Sequence, residues 1–395
     1  MNTTTGVRNS EQHALHVLTF TPFYPTEKDD ANGCFVAEPL EWTGKAGVCN
    51  TVFAVQPFYR GKVGPGKSAV PAKWFRYFSL PSGFGLPSAG AFVFARIVSE
   101  VRKIHESQPV GLIHAHGPLP CGHAAMLLSR ELKIPYVVTV HGLDAFANIQ
   151  VTGRAGEWSS RISQRAYGSS SRVICISEHV REQVLTGTGR SCRTSVVYNG
   201  VDPELFSPRE EPPADSPVVL SVGNLIPIKG HEFLIRAVAA LTGEFPALKL
   251  EIIGDGPERA HLESLTSQLQ ISGRVSFSGR QSRQQVAAAM QRCTLFALPS
   301  RYEGLGCVYL EAMSAGKAII GCRGQGIAEV VRHGSNGFLV GPDNDKELAL
   351  AIAMLLRDPL RRRNIGVAAR DTILDRYTLA QQAENLIRIY RESAA

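Results

Sequence analysis

The sequence predicts an α/β protein built from two doubly wound, parallel-sheet domains of Rossmann type. Three observations carry that prediction. Short β-rich runs alternate with helix-like runs along nearly the whole chain, the pattern of parallel strands joined by crossover helices. At 395 residues the chain exceeds the roughly 250–300 residues that one hydrophobic core fills. A proline-rich stretch near the middle breaks the alternation, which then starts again.

In the first half, His16–Thr21, Thr51–Val55, Leu112–Ala115, Tyr136–Thr139, Arg172–Cys175 and Thr194–Val197 read as strands. Between them Phe35–Gly44, Gly90–Ser107, Cys121–Leu132, Ser160–Tyr167 and Glu178–Leu185 read as helices. The segment Asp202–Pro217 carries Pro203, Pro208, Pro212, Pro213 and Pro217 and reads as a linker between a first domain, residues 1–201, and a second, residues 218–376. Beyond it come strands at Val218–Gly223, Lys249–Ile253, Val275–Ser278, Leu295–Leu298 and Ala318–Gly321. Helices are expected at Glu232–Leu241, Pro257–Leu269, Gln284–Arg292 and Val308–Ser314. In the last segment, 377–395, Leu386, Ile389 and Tyr390 recur at helical spacing, which predicts a helix over Leu379–Glu392 returning to the first domain.

Composition sets the outer bounds. Hydrophobic residues at 44% and charged residues at 19% exclude a disordered or low-complexity chain. The formal charge of +7 suits an acidic partner such as a nucleoside diphosphate, an anionic lipid surface or a nucleic acid, without choosing among them. Eight cysteines form no CxxC pair and no Cys/His cluster, so neither a disulfide framework nor a structural zinc site is expected, and a cytosolic setting fits. Met1–Ala14 lack the apolar core of a signal peptide, and no run reaches the roughly 18 apolar residues of a membrane span. Peripheral attachment to a membrane face remains open.

The most specific feature runs from Ser300 to Gly316, SRYEGLGCVYLEAMSAG. It follows a strand, turns at glycines and enters a helix, so unpaired amides at the helix start can meet phosphate oxygens. Glu303 and Glu311 would lie about 12 Å apart on an ideal helix, beyond the roughly 5–9.5 Å of glycosidase carboxylate pairs. They suit two hydroxyl-bearing ends of one long ligand better than an acid and a nucleophile. A lysine, Lys229, stands in the loop Gly223–Gly230 just before a helix, and Gly254-Asp255-Gly256-Pro257 forms a second glycine turn.

This constellation resembles the E-x7-E motif of the retaining glycosyltransferase family 4, of GT-B architecture, and the resemblance extends over nearly the whole chain. Asn199-Gly200-Val201-Asp202 and Asn336-Gly337-Phe338-Leu339-Val340 are further matches. The resemblance implies a nucleoside-diphosphate sugar as co-substrate, no metal or other cofactor, no nucleic-acid partner and a glycan or lipid-linked acceptor. It implies that Glu303 contacts the donor hexose, Glu311 the ribose, and the amides of Leu305, Gly306 and Cys307 the diphosphate and sugar. Lys229 would meet the diphosphate, with Gly254 and Gly256 in the donor-binding loops. Asn224 stands where the family often has arginine, which leaves the phosphate site one cation poorer.

In the first half, His141 ends the run Tyr136–Val140, where ligands meet such sheets; the resemblance puts a histidine here near the sugar and phosphate, the alternative being a structural histidine. His114 and His116 project to one face of their strand, with His123 nearby. A metal site would use that spacing, but no carboxylate or thiolate is adjacent and similar pairs occur in the family without metal, so the resemblance implies that they shape the acceptor side. Gly33 closes the loop Asp29–Phe35, where the family has a glycine-rich turn near the donor phosphate. Lys73–Phe78, with Arg60, Lys62 and Lys67, suits an anionic bilayer, or a buried strand or loop with snorkelling cations, the latter slightly favoured. The arginines of Leu360–Asn364 read as a solvated helix face. Two rival readings stay open: a phosphorylase or nucleotide-sugar epimerase of the same fold, and a non-catalytic sugar-nucleotide scaffold.

Overall fold

The computed structural model describes residues 14–81, 83–146, 151, 153–209 and 216–395. Seven strands, β1 (His16–Thr21), β2 (Cys49–Pro57), β3 (Ala72–Tyr77), β4 (Leu112–His116), β5 (Tyr136–Val140), β6 (Arg172–Cys175) and β7 (Thr194–Val196), form a first sheet in the order β3-β2-β1-β4-β5-β6-β7. Five helices serve it: α1 (Cys34–Lys45), α2 (Leu86–Ser107), α3 (His123–Leu132), α4 (Gly153–Ser169) and α5 (Glu178–Gly187). A second sheet of β8 (Val218–Val222), β9 (Lys249–Ile253), β10 (Val275–Phe277), β11 (Leu295–Ala297), β12 (Ile319–Cys322) and β13 (Phe338–Val340) runs β10-β9-β8-β11-β12-β13. Its helices are α6 (His231–Leu241), α7 (Arg259–Gln268), α8 (Arg283–Arg292), α9 (Cys307–Ser314), α10 (Asp345–Arg357) and α11 (Pro359–Arg376), followed by α12 (Leu379–Ala394).

All strand pairs are parallel. Each sheet therefore needs a crossover for every step and is covered on both faces, which is why β5 is buried at all five positions and reads as one apolar run. In each sheet the order reverses beside the first strand, β1 against β4 and β8 against β11. A crevice opens at the carboxyl ends of the strands at such a point.

The structure bears out the favoured reading of Lys73–Phe78 and adds elements the sequence reading lacked. Lys73–Tyr77 lie in edge strand β3: Phe75 and Tyr77 point inward, while Lys73 pairs with Glu100 at 2.6 Å. β13 and α10 were missing, although Asn344 caps α10 by accepting from the Glu347 amide at 3.0 Å. The arginine run of α11 is corrected at one position. Arg362 is buried and donates to the Leu355 carbonyl at 2.8 Å, because a helix packed on its neighbour turns part of any run inward. α4 starts at Gly153, seven residues ahead of the expected Ser160. Residues 210–215 of the linker, with Pro212 and Pro213, lie outside the described residues, as do Met1–His13.

The last helix packs on α1 and on the first sheet, where Leu386, Ile389 and Tyr390 join Val17, Leu112 and Val137 in one core. Each such side chain contributes about 1.5–3 kcal/mol when fully buried. The crossing is fixed by backbone pairing, Val201 N to Tyr377 O at 2.9 Å and Leu379 N to Val201 O at 3.1 Å. Among the described residues no helix is long and apolar enough to cross a membrane.

Candidate active site between the two sheets

The chain leaves β11 through a loop that ends at Gly306, whose φ of 82° breaks the entry into α9. Only Cys307–Ser314 is helical, so the ideal-helix spacing between Glu303 and Glu311 does not apply: Glu303 stands in the loop and Glu311 within the helix. Glu303 is 8% exposed. Its Oε1 receives the ammonium of Lys229 and the Ser300 hydroxyl, the latter at 3.2 Å, and its amide donates to Gln325 Oε1 at 3.1 Å. Leu305 is fully buried, and Cys307 Sγ accepts from Asn199 Nδ2 at 3.2 Å. The first amides of α9 precede any intrahelical acceptor and face the crevice end of the sheet.

Glu311, 3% exposed, is held by Arg283 at the start of α8. The other edge of that guanidinium reaches across to Glu38 on α1, at 2.9 and 3.1 Å. Its plane lies 4.9 Å from the Phe206 ring. Burial opposes the charge on Arg283, but Glu311, with Cys34 and Glu38 adding to it, holds the group firmly protonated. Glu38 is pushed up to about 7, first by burial, against the opposing pull of Arg283. Glu311 Oε2 is buried with no hydrogen-bond partner among the described residues. A cavity of about 910 Å³ opens beside this triad, lined by Asp29, Glu38, Glu41, Arg280 and Arg283. The sequence reading missed Arg283 and Glu38. Nothing in the polar run Arg280–Gln285 sets Arg283 apart until α8 is placed opposite α1.

Lys229 sits in a short 3-10 turn, Pro227–Lys229, ahead of α6. This loop is backed by the Gly254–Pro257 turn: Leu225 N donates to Asp255 O at 3.0 Å, and Glu258 N to Leu225 O at 3.0 Å. A Cβ on Gly254, at φ 145°, would lie 1.9 Å from Gly223 O, and one on Gly256 2.4 Å from Leu225 O. Both glycines thus serve the close approach of the two loops. Asn224 is exposed on the outer loop. His231, also missed, is buried beside Lys229 with its pKa lowered to about 4 by burial and by that lysine.

On the opposing sheet the loop at Gly33 is pinned against Phe23, whose carbonyl carbon would lie 2.4 Å from a Cβ there. His141 and His116 stack, with His116 Nδ1 3.0 Å from His141 Nε2 and rings 5.2 Å apart. Burial lowers the His141 pKa to about 3 and holds His116 well below its usual range, so both are neutral. His141 Nδ1 has no partner among the described residues. His114 lies under α12 with its nitrogens 2.7 Å from the Tyr390 hydroxyl and 2.6 Å from Thr139 Oγ1, and it lines one small cavity with His116 and His141.

The two faces meet here. Gly304 O accepts from Ser177 Oγ at 2.5 Å, and the Tyr302 hydroxyl donates to Gln183 at 2.8 Å. The carboxylate of Glu329 caps α5, accepting from the Glu178 and His179 amides at 2.8 and 2.6 Å, a favourable place for a negative charge.

Two Rossmann-like domains that face each other across a crevice of this kind define the GT-B class. Residues 203–372 match the model of glycosyl transferases group 1, and residues 51–205 that of glycosyltransferase family 4. An uncharacterized glycosyltransferase of Methanocaldococcus jannaschii is 31% identical over 67% of this chain and 71% of its own. A putative teichuronic acid biosynthesis glycosyltransferase of Bacillus subtilis is 26% identical over 95% and 98%. The crystal structure of HepE from Anabaena with UDP superposes with a TM-score of 0.75 over 96% of this chain and all of that one, at 21% identity. The chain belongs to the family 4 glycosyltransferases.

Proposed function

We propose that the protein transfers a hexosyl group from a nucleoside-diphosphate sugar to a glycan or lipid-linked acceptor, with retention, in surface polysaccharide or glycolipid synthesis. The observation that carries this reading is the pair of buried carboxylates flanking the start of α9, each already matched to a cation: Glu303 to Lys229, Glu311 to Arg283. The diphosphate lies at the first amides of α9, at Leu305, Gly306 and Cys307, where the helix end favours anions. Lys229 turns from Glu303 to the phosphates, and Glu303 is freed for the hexose hydroxyls. Glu311 Oε2 takes a ribose hydroxyl. His141, neutral, offers a hydrogen bond rather than a charge. With Lys229 and the helix amides on the diphosphate, no metal is needed, and Asn224 contributes a hydrogen bond where a second cation is usual.

In the reaction the bond from the anomeric carbon to the phosphate oxygen breaks as the acceptor oxygen bonds that carbon on the same face. The departing phosphate oxygen takes the acceptor's proton. The protein positions the two substrates and stabilises the growing negative charge. The HepE structure with UDP and the role given to the Bacillus relative support the donor and acceptor classes. Eight free cysteines suit a cytoplasmic site of action. The test is proton NMR of the first-formed sugar product from UDP-, GDP-, ADP- or TDP-hexose. The donor's anomeric configuration is expected in the product, and the inverted configuration would overturn the mechanism.

A further inference from the structure

Between Glu41 and Glu100 the chain contains no acidic residue and seven basic ones. The same stretch holds Phe58, Tyr59, Phe78, Leu80, Phe84 and Phe92, all exposed, with Phe84 72% accessible. The structure makes much of this one surface. The Phe58 amide donates to Tyr77 O at the end of β3, at 2.9 Å, and the Arg76 guanidinium lies 4.9 Å from the Phe58 ring. Phe78 meets Phe92 of α2 edge-on at 5.2 Å. Leu80 and Phe84 occupy the loop between β3 and α2, where Gly83 faces Val151 near the start of α4. α4 packs on α2 and exposes Trp158.

Single exposed apolar side chains are ordinary, but a cluster carried on a segment whose own charges are all basic marks a docking surface. Its composition selects the occupant. Rings on loop ends suit the headgroup–acyl boundary, and cations beside them suit anionic headgroups. A second copy of the chain would set this predominantly basic segment against its like and repel it. The surface also lies at the carboxyl ends of β2 and β3, the sheet edge on which Gly33 and His141 face the crevice. We propose that it seats the N-terminal domain on an anionic phospholipid bilayer, with the mouth of the crevice at the headgroups, so that a lipid-linked acceptor enters from the membrane plane. Acceptor entry rests on the transferase reading above, whereas the seating does not.

The full-length protein is sedimented with phosphatidylglycerol-containing vesicles and, separately, with pure phosphatidylcholine vesicles, without donor or acceptor. The wild type partitions onto the anionic vesicles and is released as salt screens the charges. Leu80→Gln with Phe84→Gln, exposed positions that leave the core intact, lowers the partition coefficient about tenfold. Arg60→Glu with Lys62→Glu lowers it about fivefold for each cation removed. Stabilisation by donor stays at the wild-type level in both variants, so membrane seating and donor use fail separately. Absence of partitioning, equal partitioning onto both vesicle types, or variants that bind like the wild type would overturn the proposal. A concentration-dependent dimer in size-exclusion chromatography that Phe84→Gln abolishes would also overturn it, and would assign the surface to self-association.

Discussion

The two sheets share one strand order around their switch points, yet the crevices above them are made of different material. Above the second sheet, charge is concentrated and paired: Lys229 on Glu303, and Arg283 on Glu311. Above the first, the central groups are uncharged imidazoles held neutral by burial. The same backbone frame thus presents a polar, ion-lined face and one with neutral central groups, and charge pairing between them runs from Glu38 to Arg283 and from Asp29 to Arg280. On the proposed function the ion-lined face above the second sheet receives a charged donor and the neutral face above the first an uncharged hydroxyl.

The sharpest way to break this contrast is at Glu303. Glu303→Ala is expected to lower the steady-state transfer rate about a hundredfold or more, as loss of a group that acts in the transition state does. Donor turnover unchanged in that variant would remove the assignment. A smaller and different effect is expected at the other carboxylate. Arg283→Gln should raise the donor KM about tenfold with kcat nearly kept, because Glu311 loses its positioning partner. Arg283→Lys should not restore it, since one ammonium cannot fork between Glu311 and Glu38. Equal losses in kcat and kcat/KM in Arg283→Gln would place Arg283 in the chemical step instead.

The neutral face is tested by pH. His114 and His141 are lowered to about 3, and His116 lies well below its ordinary 6.5. The unfolded chain takes up protons as pH falls through 6.5 while the folded protein does not, so these groups make stability decline from 6.5 toward 3. Asp144, raised to about 6, and Glu38, raised to about 7, act oppositely: the folded state keeps protons that the unfolded chain loses as pH rises. The contribution of one histidine is isolated by difference. The melting temperature of His116→Gln should gain on the wild type as pH falls below 6.5, and a constant gap would show that His116 is not held neutral by burial. The smallest effect expected is none: a chelator leaves the transfer rate unchanged. Loss of activity on chelation would redirect attention to the three histidines.

The second face was the more legible in the sequence because its groups are local. Glu303, Gly306 and Glu311 fall within nine residues, and Lys229 follows its strand by seven. Spacing along one strand–loop–helix unit is enough to bring such residues forward. Arg283 and Glu38 are 245 positions apart, and only the meeting of α8 with α1 pairs them. The partners of His114 were hidden for a similar reason: its position at a strand end suggested the crevice, and the Tyr390 hydroxyl that meets it comes 276 residues later on α12. β3 was ambiguous because lysine and arginine alternate with aromatics, a pattern that an edge strand and a membrane-facing loop share. The two doubly wound parallel sheets themselves followed from the alternation of short apolar runs and crossover helices.

The most direct test of the account is a thermal-shift titration with UDP-, GDP-, ADP- and TDP-sugars, on the wild type and on Glu311→Ala. A ligand that binds only the folded state raises its melting temperature. The account predicts a rise with one nucleotide class that is lost in Glu311→Ala. A rise of equal size in that variant, or no rise with any of the four, would contradict a donor site centred on α9.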